Sequence, residues 1–140
     1  IISVLENSTA TITQVLQLAQ NCRYLHTIEL VNDGINTDEL IIGLAERCAN
    51  LRSLYVEATA NFTDNSILAL SEHCLQLHEL MLQYTNLSLT TEDAILQLIR
   101  RCKYLHLLKL PLTCLSEETV LTLPVTASRD YSIWTLTFDI

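Results

Sequence analysis

The chain has 140 residues, about one domain's worth, with 49% hydrophobic residues and sixteen Asp and Glu against eight Lys and Arg. That acidity disfavours a nucleic-acid surface, which needs a basic stripe. No run of about 18 uninterrupted apolar residues occurs, so no membrane span is expected. Five cysteines, each beside apolar residues, read as buried reduced thiols rather than a disulfide framework, which predicts an intracellular compartment, cytoplasm or nucleus. Three Asn-x-Ser/Thr triplets, at Asn7, Asn61 and Asn86, argue the other way. Polar loops rich in Asn and Thr produce such triplets freely, so they are discounted.

Taken in order, the chain opens on Ile2 and Val4, expected as the last apolar positions of a strand whose beginning is absent. Helices are predicted at roughly 11–21, 37–47, 63–73 and 91–101, and strands near 25–31, 51–57, 77–83 and 105–111. Each helix starts at a threonine, Thr11, Thr37, Thr63 or Thr91, whose hydroxyl can accept a hydrogen bond from a free backbone N–H. Acids follow the caps at Asp38-Glu39, Asp64, Glu92-Asp93 and Glu117-Glu118. Bases gather near the helix ends at Arg23, Arg47, Arg100, Arg101 and Lys103, the polarity that the helix macrodipole favours. Asn86 to Thr90 is read as a loop holding a two-residue insertion. A fifth helix is capped by Ser116 and stops at Pro124, Val125 to Asp130 is read as a loose segment, and Ile133-x-x-Leu136-x-Phe138 is a final strand.

These elements are copies of one unit. Cys22, Cys48, Cys74 and Cys102 stand 26, 26 and 28 residues apart. Three residues after each comes a leucine, Leu25, Leu51, Leu77 or Leu105. Ile28, Leu54, Leu80 and Leu108 follow at six, and Leu30, Val56, Leu82 and Leu110 at eight. Upstream, the column four residues before each Cys is Leu18, Leu44, Leu70 and Leu98. A fixed period in this range is the mark of a repeat architecture built from one supersecondary unit. The expected division is a partial repeat at 1–10, full repeats at about 11–36, 37–62, 63–90 and 91–115, and an irregular terminal repeat at 116–140.

Leu-x-x-Leu-x-Leu strands, a Cys three residues before each, and a Thr-led helix resemble the cysteine-containing class of leucine-rich repeats. The resemblance covers nearly the whole chain. It implies an α/β fold, a right-handed leucine-rich repeat solenoid with parallel strands on the concave face and helices on the convex face. Such repeats are similar to those of F-box substrate receptors of ubiquitin ligases and of antagonist-of-mitotic-exit-like proteins, which implies a protein–protein interaction domain. Where the class often has a second Cys, this chain has Asp33, Thr59, Thr85 and Thr113. An F-box itself is expected outside these residues. Fold follows from such a match, and function only by analogy.

Residues five, seven and nine after each Cys point away from the core, and unlike the core columns they vary from unit to unit. Among them Glu29, Tyr55, Glu57, Glu79, Met81, Gln83, Leu107 and Lys109 are the candidate partner-binding residues. Tyr55 and Met81 are the expected anchors, and the acids around them favour a partner with a basic segment. The alternative is a solvated face on a structural segment of a larger scaffold or enzyme regulator. Four residues after each Cys, and at the matching place in the last unit, stand His26, Arg52, His78, His106 and Trp134. Side by side they would form a cationic and aromatic ridge able to take an acidic or phosphorylated group, or else a rim of incidental polar residues.

No catalytic constellation is expected, so the chain is not read as an enzyme. Two glycines exclude a phosphate-cradling loop or a dinucleotide fingerprint, and no cofactor is implied. Cys-x-x-x-His recurs at Cys22/His26, Cys74/His78 and Cys102/His106, but Cys faces inward and His outward, so no metal site is expected. Cys114 falls outside the register and is read as an incidental thiol, with reactivity as the rarer alternative. Both ends lack a polar capping unit, which predicts edge-to-edge self-association of the isolated chain.

Overall fold

A hydroxyl residue in extended conformation precedes each helix of the computed structural model, which describes residues 1–4, 9–31, 37–57, 61–83, 86–130 and 132–138. Thr11 caps α1 (Ile12–Asn21) through a reciprocal box with Gln14, whose N–H reaches the threonine hydroxyl at 3.2 Å. Thr37 precedes α2 (Asp38–Arg47) without a side-chain bond to it. Thr63 caps α3 (Asp64–His73) and Thr91 caps α4 (Glu92–Arg101), each with its hydroxyl accepting from the first turn. Ser116 does the same for the short α5 (Glu117–Thr122). Helices α1 to α4 end at Cys22, Cys48, Cys74 and Cys102. Each Cys carbonyl then accepts from the leucine three residues on, at 3.0 to 3.1 Å, forming the same turn four times.

Those turns feed a seven-stranded sheet of β1 (Ile2–Val4), β2 (Thr27–Leu30), β3 (Ser53–Glu57), β5 (Glu79–Gln83), β7 (Leu107–Pro111), β9 (Ile133–Phe138) and β8 (Val125–Asp130), in that spatial order. The first five are parallel, and their pairing matches equal offsets from each Cys: Ile28 opposite Leu54, Leu54 opposite Leu80, Leu80 opposite Leu108. Every second strand residue is therefore buried, with Ile28, Leu54, Leu80 and Leu108 at 0–1% exposure, while the residues between them are half-buried on the other face. Successive helices α1 to α4 pack side by side. At the closest approach, a Cβ on Gly43 would stand 2.7 Å from the Leu16 side chain, so the missing side chain lets α1 seat against α2. The thiols stack with the units: Cys74 Sγ faces the Cys48 carbonyl at 3.7 Å, and Cys102 Sγ the Cys74 carbonyl at 3.5 Å.

Three segments differ from the sequence reading. Asn86 to Leu89, read as part of a loop, is strand β6, which pairs in parallel with β4 (Asn61–Thr63) in a second, two-stranded sheet beside the buried Phe62. Val125 to Asp130, read as loose, is strand β8. The final strand β9 is not a further parallel copy. It runs antiparallel between β7 and β8. Hydrophobicity explains the placement. Strand β9 carries Trp134 and Leu136 on its buried face and takes the inner position, whereas β8 is exposed along nearly its whole length and forms the edge. No helix among the described residues is long and apolar enough to cross a membrane.

Candidate functional site: the open face of the sheet

Register decides which outward side chains meet. Thr27, Ser53, Glu79 and Leu107 are direct neighbours across β2, β3, β5 and β7, and so are Glu29, Tyr55, Met81 and Lys109 one step further along. Around the second row lies a hollow of about 400 Å³ lined by Glu29, Val31, Tyr55, Val56, Glu57, Met81 and Gln83. Its floor is formed by the side chains of Tyr55, Met81 and Val31, with the carboxylates of Glu29 and Glu57 beside them; Val56 turns its own side chain into the core. An apolar floor with carboxylates beside it suits a long side chain with an apolar stem and a cationic head.

Five of the eight sequence candidates thus meet in one place: Glu29, Tyr55, Glu57, Met81 and Gln83. Leu107 and Lys109 lie on β7, outside the hollow. Glu79 also stands apart, as the hub of a local network. The Tyr55 hydroxyl donates to its carboxylate, Ser53 Oγ donates to Oε2 at 3.4 Å, and His106 Nε2 faces Oε1 at 3.4 Å. The bond to Glu79 raises the Tyr55 phenol above its ordinary value, so Tyr55 stays a neutral donor with its ring held in place. Sequence reasoning overlooked Ser3, whose hydroxyl donates to Glu29 at 3.1 Å. It sits one unit upstream of Glu29, in register with it. Val31 was not among the candidates, although it belongs to an outward column that the period identifies.

No protein-family model matches the chain, and no curated protein matches it.

The ridge takes shape for four of its five expected members. Arg52 donates its N–H to the His26 carbonyl, His78 to that of Arg52 and His106 to that of His78, at 2.8 to 2.9 Å, so these residues stand in one row at the entry of the strands. His26 Nδ1 lies 2.9 Å from the Thr27 hydroxyl. His78 stacks on Tyr104 with centroids 5.7 Å apart and meets His106 edge-on at 6.0 Å. Trp134 is not in the row. Because β9 runs antiparallel, Trp134 pairs with Leu110 near the far end of β7, where it is buried and donates Nε1–H to the Leu115 carbonyl at 3.1 Å. The next place in the row goes to Phe138, whose N–H bonds the His106 carbonyl.

The interior thiols are held as uncharged groups. Burial pushes Cys48 and Cys102 up to about 11 and Cys74 up to about 12, each losing the solvation a thiolate needs. Cys114, the candidate for reactivity, ends a 3₁₀ turn at Leu112–Cys114. It is buried and likewise pushed up to about 12. Of the residues in the second-cysteine column, Asp33, Thr59 and Thr85 lie outside the described residues, and Thr113 is exposed.

Proposed function

We propose that the chain is a right-handed leucine-rich repeat solenoid of the cysteine-containing class, whose open sheet face binds an extended segment of a protein partner. Within that reading, the resemblance points to substrate recognition in an F-box-type ubiquitin-ligase receptor, a binding role rather than an enzymatic one. One observation carries the proposal. Strands held in strict register repeat the same apolar residues inward and present different residues outward, around a hollow with an aromatic and a thioether floor and an acidic rim. Rigid backbone with variable side chains is what recognition of one particular segment requires.

The test is a comparison of proteins captured from lysate by the parent chain and by a Tyr55→Ala/Met81→Ala variant with an unchanged unfolding midpoint. A partner lost only with the variant supports the reading. Identical partner sets overturn it.

A further inference from the structure

The hollow and the ridge lie on the same strands. Arg52 stands at the entry of β3, Tyr55 within it, and Glu57 at its end. Five residue-to-residue steps of extended chain lead from Arg52 to Glu57, a span of roughly 16 Å at about 3.3 Å per residue. At the entry end, Arg52 stands in the row between His26 and His78. Arg52 is exposed and takes part in none of the ion pairs among the described residues. His78 Nδ1 faces the Gln76 carbonyl, an acceptor, at 2.5 Å, so the ring donates its Nδ1 proton there. His106, by contrast, is taken up by Glu79. At the exit end, Glu29 and Glu57 flank the apolar floor. Along the binding face, then, Arg52 is, among the described residues, the unpaired cation where the strands begin, the nearby Glu79 carboxylate being turned to Tyr55, Ser53 and His106, and the carboxylates of Glu29 and Glu57 stand beyond it where the strands end.

We propose that the segment bound on this face is charge-polarised. An anionic side chain, phosphoserine or carboxylate, is held by Arg52 between His26 and His78. A lysine or arginine about five positions away lies over Tyr55 and Met81 with its head between Glu29 and Glu57. The inference rests on the sheet-face reading above and adds the chemistry and spacing of what is bound. A guanidinium recognises either anion by paired N–H···O bonds, and opposite charges at the two ends fix the direction in which the segment lies. A segment with its charges reversed would place like against like at both ends and be rejected.

The experiment measures binding of fluorescent peptides to the full chain by anisotropy. The peptides carry phosphoserine, glutamate or serine at one position, arginine or alanine three to seven positions away on either side, and alternating apolar residues between. Affinity is expected to peak at a spacing of four to six in one direction only. It should fall by about tenfold when serine replaces the anion and by a similar factor when alanine replaces arginine. Glutamate matching phosphoserine identifies the anion as a carboxylate, and phosphoserine exceeding glutamate identifies it as a phosphate; both support the inference. Arg52→Glu should erase the preference for the anion and leave the preference for arginine, while Arg52→Lys keeps part of the first and all of the second. Binding that depends on arginine but not on the anion, or equally on either direction, overturns the inference and leaves the sheet-face reading standing. If no peptide of the set binds, the inference fails, and the captures with Tyr55→Ala/Met81→Ala decide separately whether the sheet-face reading fails with it.

Discussion

The carboxylate of Asp38, the first residue of α2, holds the cap of the next helix: it accepts from the Thr63 N–H at 3.0 Å and from the Thr63 hydroxyl at 2.5 Å. The Ser66 hydroxyl, buried within α3, donates to the same carboxylate at 2.5 Å. The relation recurs. Asp64 accepts from the N–H and hydroxyl of Thr91 at 2.7 and 2.9 Å, and Glu92 from those of Ser116 at 2.9 and 3.1 Å. Where the acid is missing the rung is missing too: Ile12 opens α1, and Thr37 caps α2 without a side-chain bond. The acids at the helix starts thus do more than answer the macrodipole; they tie each unit to the next.

Removing the best-buried rung should cost most. Asp38→Ala leaves the Ser66 hydroxyl and the Thr63 N–H without an acceptor, and hydrogen bonds to a charged group contribute about 1.5–3 kcal/mol each at most. A loss of about 3 kcal/mol is expected, against about 1 kcal/mol for Asp64→Ala, whose partners are exposed and can turn to water. Urea unfolding midpoints at constant slope measure both. Equal losses for the two variants would mean that the buried Ser66 bond contributes nothing.

The same rungs set the acid limb of stability. At Asp38 burial acts to raise the pKa, but hydrogen bonds from Ser66 and from the side chain and backbone of Thr63 outweigh it, and the net direction is down. At Glu92 the Ser116 N–H, helped by the Thr119 and Ser116 hydroxyls, likewise lowers it. A carboxyl whose folded pKa lies below its unfolded value stabilises fully above the unfolded value and loses that stabilisation as pH falls through the folded one. Stability should therefore begin to fall as pH drops below the ordinary values of 4.5 for Glu92 and 3.8 for Asp38, and keep falling beneath them. Asp38→Asn should flatten this limb in unfolding curves taken at successive pH values; an unchanged slope contradicts the assignment.

The thiols should divide by burial. Cys48, Cys74, Cys102 and Cys114 are buried and Cys22 is half-buried. In the native state a disulfide reagent at mildly alkaline pH is expected to label Cys22 readily and the other four only at the rate of unfolding. Four fast-reacting thiols would show that the stacked column is open to solvent.

Helices were the most legible part of the sequence, their starts set by hydroxyl caps and their ends by the Cys turns, signals confined to a few neighbouring residues. Strands began two residues later than the apolar pattern suggests, because Leu25, Leu51, Leu77 and Leu105 spend their N–H groups closing the turn on Cys rather than pairing. Strand direction was not legible: Ile133-x-x-Leu136-x-Phe138 fits the spacing either way, and only the polar character of β8 indicates which strand sits at the edge. Trp134 was misplaced for that reason. Equal offsets from each Cys do put Glu29, Tyr55 and Met81 side by side. Glu79's contacts with Tyr55 and His106 have no trace in those offsets, since they run diagonally between units.

One helix breaks the core column, and the break has a consequence for association. Leu18 is 51% exposed, whereas Leu44, Leu70 and Leu98 at the same place in α2, α3 and α4 are at 0–1%. Each of those three has a helix packed on the side of its own that faces β1, and α1 has none among the described residues. Ile1 and Tyr24 are also exposed there, beside the outer edge of β1, which pairs with no strand among the described residues. Apolar residues clustered at an open strand edge form a template for another chain, whereas the polar, exposed β8 blunts the opposite edge. Sedimentation velocity should show self-association growing from low to high micromolar concentration, and Leu18→Lys with Tyr24→Asp should abolish it without lowering the unfolding midpoint. A parent chain that sediments as a monomer throughout would mean that this end is adequately solvated as it stands, and that the exposed leucine is tolerated rather than sticky.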